Sequence, residues 1–90
     1  MEQTFNVPIQ MFCVISTVGD FTPVIFKFEN NDHAIETIRI NQILSHKDTN
    51  YNGNHEILYT CQAQIDGINH IFTLTYSVAS HRWRFFKLLT

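Results

Sequence analysis

Ninety residues make one small domain, and 44% hydrophobic residues, 13% aromatics and eight phenylalanines supply the dense core that so short a chain requires. A formal net charge of -2 and a pI near 6.2 argue against a dedicated duplex-DNA binder, which needs a broad basic field. Only 16% of residues are charged, below the roughly 25% usual for soluble domains, so an exposed apolar patch or a self-association surface is expected.

The N-terminal MEQTFNVPIQ is acidic and polar where a secretory leader would be basic. No apolar run approaches the ~18 residues of a membrane helix. A cytoplasmic chain with no membrane association is expected. The first periodic run, VPIQMFCVIST, places Ile9, Met11, Cys13 and Ile15 on one face and Phe12 and Val14 on the other. Apolar residues on both faces suggest a strand covered on both sides. TVGDFT supplies a turn, with Gly19 free to take positive φ. In TPVIFKFEN, Val24, Phe26 and Phe28 alternate with Ile25, Lys27 and Glu29, and Pro23 belongs at a strand start or on an edge.

After the ENND turn comes HAIETIRINQILSHK, which fits two readings. A helix would use Ile35, Ile38 and Gln42; a strand would use Ile38 and Ile40, with a bulge before Ile43. Four isoleucines and a threonine favour the strand, because β-branched chains are stiff at χ1. KDTNYNGN then reads as a longer loop, tightest at Asn52-Gly53.

The clearest signal is NHEILYTCQAQIDGINHIFTLTYSVA. Asp66-Gly67 is a favoured two-residue type I′ turn. It sets a register in which Ile65 faces Ile68, Ala63 faces His70, Cys61 faces Phe72, Tyr59 faces Leu74 and Ile57 faces Tyr76. That face is almost wholly apolar, so turn chemistry and periodicity agree. The last run, HRWRFFKLLT, puts Trp83 and Phe85 on one face and Arg82 and Arg84 on the other. Phe86 and Leu88 then fall out of phase, which a bulge near Phe85-Phe86 would accommodate. Six runs with short turns predict a single all-β domain over residues 1–90, a small antiparallel six-stranded meander barrel or roll, SH3-like in size.

The order PIQMFCVI, FTPVIFKF, IETIRINQIL, LYTCQAQIDG and HRWRFFK resembles a group of small uncharacterised all-β proteins of Gram-positive bacteria. The resemblance covers nearly the whole chain. It rests on a strand with a proline after a short turn, a strand carrying Tyr59 and Cys61, and a C-terminal Arg-Trp strand. It implies a bacterial all-β protein and no assigned activity.

Catalytic signatures are absent from the sequence. It has no nucleophile elbow, Walker A loop or dinucleotide fingerprint, and three glycines cannot build a phosphate cradle. The carboxylates, Glu2 among them, sit mostly in or beside turns. Cys13 and Cys61 lie in apolar runs and read as reduced core residues. The register makes His70 a diagonal neighbour of Cys61, but on a core face, where a thiol is inert. His46 and His55 flank the KDTNYNGN loop and with Asp48 would form a three-ligand metal site, against the simpler reading of solvated loop histidines. The expectation is no enzyme and no cofactor.

Two function classes remain. The first is a binding module that engages a protein partner or a second copy of itself. The second is a single-stranded nucleic-acid binder using Arg82, Arg84, Lys87 and Tyr51 beside aromatics that stack on bases. A basic-aromatic strand is also what a half-buried strand looks like, with Trp83 and Phe85 inside and the arginines in water. A protein or homo-oligomeric partner is therefore preferred over nucleic acid.

Overall fold

The computed structural model describes residues 3–90, the side chain of Tyr51 excepted. It is all-β, 75% strand without helix, an antiparallel sheet curled into a half-barrel. The strands are β1 (Gln3–Ile15), β2 (Phe21–Glu29), β3 (Ile35–Arg39), β4 (Gln42–Tyr51), β5 (Asn54–Ile65), β6 (Ile68–Ser77) and β7 (Arg82–Leu88). Their order across the sheet is β3-β2-β1-β7-β6-β5-β4. Two meanders, β1–β3 and β4–β7, are thus joined where β1 pairs with β7.

The expected six-stranded barrel or roll is instead a seven-stranded sheet curled into a half-barrel. The cause lies in the segment that admitted a helix. It is extended, but it breaks at Ile40-Asn41. The Ile40 amide donates to the Val24 carbonyl of β2, and the Asn41 amide donates to the Gln62 carbonyl of β5. Those two residues carry the chain from one edge of the sheet to the other. β3 then packs against β5 across the concave side, which is how a seven-stranded sheet keeps its edges close. The bulge expected before Ile43 falls just after it, where the β4–β5 register shifts between Ile43 and Ser45.

The β5–β6 hairpin has the register set by its turn, from Ile65 opposite Ile68 to Glu56 opposite Ser77. Asp66 and Gly67 take φ of 54° and 78°, the left-handed pair that a type I′ turn needs. The expected KDTNYNGN loop is instead regular strand up to Asn52-Gly53, a second turn of the same kind with φ of 52° and 80°. The β1–β2 and β2–β3 turns share another device. Ser16 Oγ accepts from the Val18 and Asp20 amides, and Asn30 Oδ1 accepts from those of Asp32 and Ala34. Such side-chain caps replace the missing ladder partner.

The core is Phe26, Ile38, Tyr59, Cys61, Ala63, Phe72, Leu74, Trp83 and Phe85. Its rings form two groups. Phe21, Tyr59 and Tyr76 surround Trp83 at one end, with centroids 4.9–6.4 Å away. Phe26, Phe28 and Phe72 surround Phe85 at the other, 5.3–6.5 Å away. Ile57 and Tyr76, on the face expected to be core, are only half-buried, as is Phe28. Pro23 is buried in an internal strand, opposite Cys13, where β2 carries an extra residue at Val24; a bulge removes the need for its amide. The outer face of β1 is uncovered, contrary to the two-sided burial expected: Phe12 and Val14 are 43% and 57% exposed.

Candidate functional site

β7 separates its basic and aromatic residues by face. Trp83 and Phe85 are each 8% exposed and point into the half-barrel. Arg82 and Arg84 alternate with them on the convex face. Relative to β6, the register shifts so that Leu74 faces Phe85 and Thr73 faces Lys87, leaving Phe86 as the extra residue of a bulge. That is the bulge the phase change called for. It turns Lys87 outward, its ammonium 5.3 Å from the centre of the Phe86 ring, and returns Leu88 to the core side. Phe85 offers no open ring face beside the arginines and Trp83 shows only a small part of its ring, at the groove described below, so Phe86 is the aromatic neighbour of the outward basic strip.

Arg84 does not hang in solvent. Its Nε donates to Asn6 Oδ1 at 2.7 Å, and a terminal nitrogen donates to the Asn6 carbonyl. Asn6 sits at φ 51°, where the β1–β7 register shifts between Thr4 and Val7. A non-glycine residue tolerates that backbone poorly, asparagine better than most. The guanidinium therefore braces a kink in β1. Arg82 is exposed and lies opposite Ser77. Tyr51 ends β4 opposite Asn54, and its side chain lies outside the described ones.

His46 and His55 do not face each other across a loop mouth. In the β4–β5 ladder His46 lies opposite Tyr59, its ring 5.8 Å from the tyrosine ring, and His55 lies opposite Asn50. Asp48 Oδ1 reaches His55 Nε2 at 3.5 Å, an exposed pair without His46. Among the described residues no three-ligand cluster forms.

Cys61 is buried opposite Phe72, and desolvation pushes its thiol up to about 12. A thiol so placed is not a nucleophile. His70 is turned to another partner, its Nδ1 2.6 Å from the Thr90 carbonyl. Cys13 departs from the expected core position and is exposed, although partial burial still raises its thiol.

A different feature was missed from sequence. The β1–β7 pairing stops at Ile9 opposite Trp83, yet β1 continues to Ile15. From Gln10 to Ile15 it pairs with β2 on one side, and no described strand pairs on the other. A groove of about 650 Å³ runs along that open edge. Its lining includes Phe21, Tyr76 and Trp83 from the first aromatic group, together with Met11, Ile15 and Arg82. Ile15 is 72% exposed there. His81 closes the groove at the β6–β7 turn, its Nδ1 2.7 Å from the Tyr76 hydroxyl. Among the described residues no carboxylate lines it. The only available signal was a length mismatch, an eleven-residue apolar run in VPIQMFCVIST against a shorter last strand. Compared with known proteins, the chain matches no family model, no curated protein and no solved structure.

Proposed function

We propose that the domain is a protein-interaction module that takes up an extended segment of a partner along β1. The observation that carries this reading is the open edge over Gln10–Ile15, set beside a groove with an aromatic wall. An unpaired strand edge offers backbone donors and acceptors in ladder spacing, and an added strand satisfies them while its alternate side chains fill pockets. Here the alternate side chains would meet Phe21, Tyr76 and Trp83. The exposed Phe12 and Val14 extend apolar contact onto the outer face. Arg82 contributes a fixed positive charge to a groove that no carboxylate among the described residues lines, which favours a partner segment carrying Asp or Glu.

The test is a nuclear magnetic resonance titration with a short peptide alternating valine and glutamate, and with its lysine counterpart. The glutamate peptide shifts the amides of Gln10–Ile15 and the Trp83 indole, and slows amide exchange along β1. The lysine peptide binds more weakly. Shifts confined to other strands, or none with either peptide, would remove this reading. Sedimentation over a range of concentrations distinguishes the second copy as partner: a monomer throughout leaves the strand to a different protein. Salt-sensitive binding of single-stranded oligonucleotides through Arg82 and Lys87 would favour the nucleic-acid alternative instead.

A further inference from the structure

The open stretch of β1 keeps an unbroken alternation. Met11, Cys13 and Ile15 line the groove, while Phe12 and Val14 stand on the outer face, 43% and 57% exposed. The extra residue near Cys13 belongs to β2, so β1 itself stays in phase. A strand of identical sequence can pair with this stretch antiparallel, about a two-fold axis normal to the sheet. Such an axis keeps like faces on the same side, so residues directly opposite must share a face. The pairing is therefore centred on a single residue, Phe12, Cys13 or Val14, rather than between two.

Charge selects among the three. Trp83 lies opposite Ile9, so Arg82 stands at the level of Gln10. The Ser16 amide donates to the Asp20 carbonyl at 2.7 Å, which holds Asp20 at the level of Ser16. Asp20 and Arg82 are both exposed. A pairing centred on Cys13 brings Ser16 of one copy to the level of Gln10 of the other. Each Arg82 then stands about one strand spacing, ~4.8 Å, from the line of the other copy's Asp20. The contact forms twice, because the interface is isologous. Across the axis Met11 faces Ile15 and Phe12 faces Val14, apolar against apolar on both faces. On the reading of β1 as an edge that accepts a strand, we propose that its occupant is a second copy of this chain, paired antiparallel through Met11–Ile15 about a two-fold axis at Cys13. Asp20 is the carboxylate that answers Arg82. The pairing uses the open stretch of each copy once, so assembly stops at two chains.

The test is sedimentation of the whole chain over a range of concentrations, joined to cross-linking at Cys13. The unaltered chain passes from monomer to dimer and no further. Directly opposed residues of antiparallel strands lie about 4.5–5.5 Å apart at Cα, within the span of a disulfide. Diamide, which takes up the two electrons and two protons of two thiols, therefore joins Cys13 to Cys13. Cys13→Ser prevents the link, since Cys61 is buried. Arg82→Glu and Asp20→Lys each weaken the dimer about tenfold, the worth of two exposed ion pairs. An equimolar mixture of these two variants dimerises as the unaltered chain does, because each contact again holds one cation and one carboxylate. A dimer that both variants leave unchanged, or that diamide does not link through Cys13, overturns the proposal. A chain that stays monomeric at every concentration overturns it too. If that monomer still binds the valine–glutamate peptide along Gln10–Ile15, the strand-accepting edge stands without the second copy; if it binds neither peptide, the edge reading falls as well.

Discussion

Replacing Phe72 by alanine tests the packing on which every other feature depends. Phe72 is fully buried, opposite Cys61, with its ring stacked 5.3 Å from Phe85 and edge-on 5.7 Å from Phe26. Truncating such a ring removes its transfer free energy and leaves a cavity that rigid neighbours fill only partly, a loss of about 3–5 kcal/mol. The two ring contacts, worth about 0.5–1.5 kcal/mol each, argue for the upper half of that range. A domain of this size is stable by roughly 5–13 kcal/mol, so the variant retains little margin. At about 4–8 °C per kcal/mol, a loss of 4 kcal/mol lowers Tm by roughly 15–30 °C. Thermal and urea unfolding followed by Trp83 fluorescence give the number. A loss below about 1 kcal/mol would refute the placement of Phe72 between the two phenylalanines, since no relaxation of a fully buried ring is that cheap.

Two other expectations follow from single residues. Arg84→Ala costs about 1–2 kcal/mol in urea unfolding, because the Asn6 kink loses its charged donor, whereas Arg82→Ala stays within about 0.5 kcal/mol; equal costs would contradict the brace. The Cys61 thiol, near 9.0 when unfolded and about 12 when folded, binds its proton more tightly in the native state, so its share of stability is complete below pH 9 and is lost as pH rises from 9 to 12. Cys61→Ser removes that slope, and unchanged alkaline unfolding in the variant would show that burial of the sulfur does not govern it.

What could be read from sequence was local. Asp66-Gly67 and the alternation on either side fix ten consecutive pairs, because a type I′ turn permits one register and a slip of one residue would invert both faces. The direction of Trp83 and the bulge after Phe85 were legible for the same reason, as a change of phase within a few residues. The break at Ile40-Asn41 was not. Neither residue is a glycine or proline, and the bend comes from where their amides bond, to β2 for one and to β5 for the other. The role of Arg84 was hidden likewise, since Asn6 lies 78 residues away in sequence. A hollow beside His70 depends on five strands meeting, and the groove depends on β7 starting too late to cover β1.

The unpaired edges of this sheet are not treated alike, and the difference bears on what the molecule does. Exposed edges invite pairing with other chains, and proteins blunt them with short strands, charges and bulges. β3 has five residues and carries Glu36 and Arg39. β4 carries Lys47 and Asp48 and is bulged near Leu44. The open stretch of β1 reads Gln10-Met11-Phe12-Cys13-Val14-Ile15, without a charge, a proline or a glycine. Its irregularity opposite Pro23 lies in the pairing with β2, not on the open side. Protection thus falls on the two edges that would lead to uncontrolled association and is missing from the one bordered by an aromatic groove and Arg82. A uniformly unguarded sheet would suggest mere aggregation liability. Selective guarding supports an edge kept open for one kind of strand, chosen by the groove beside it.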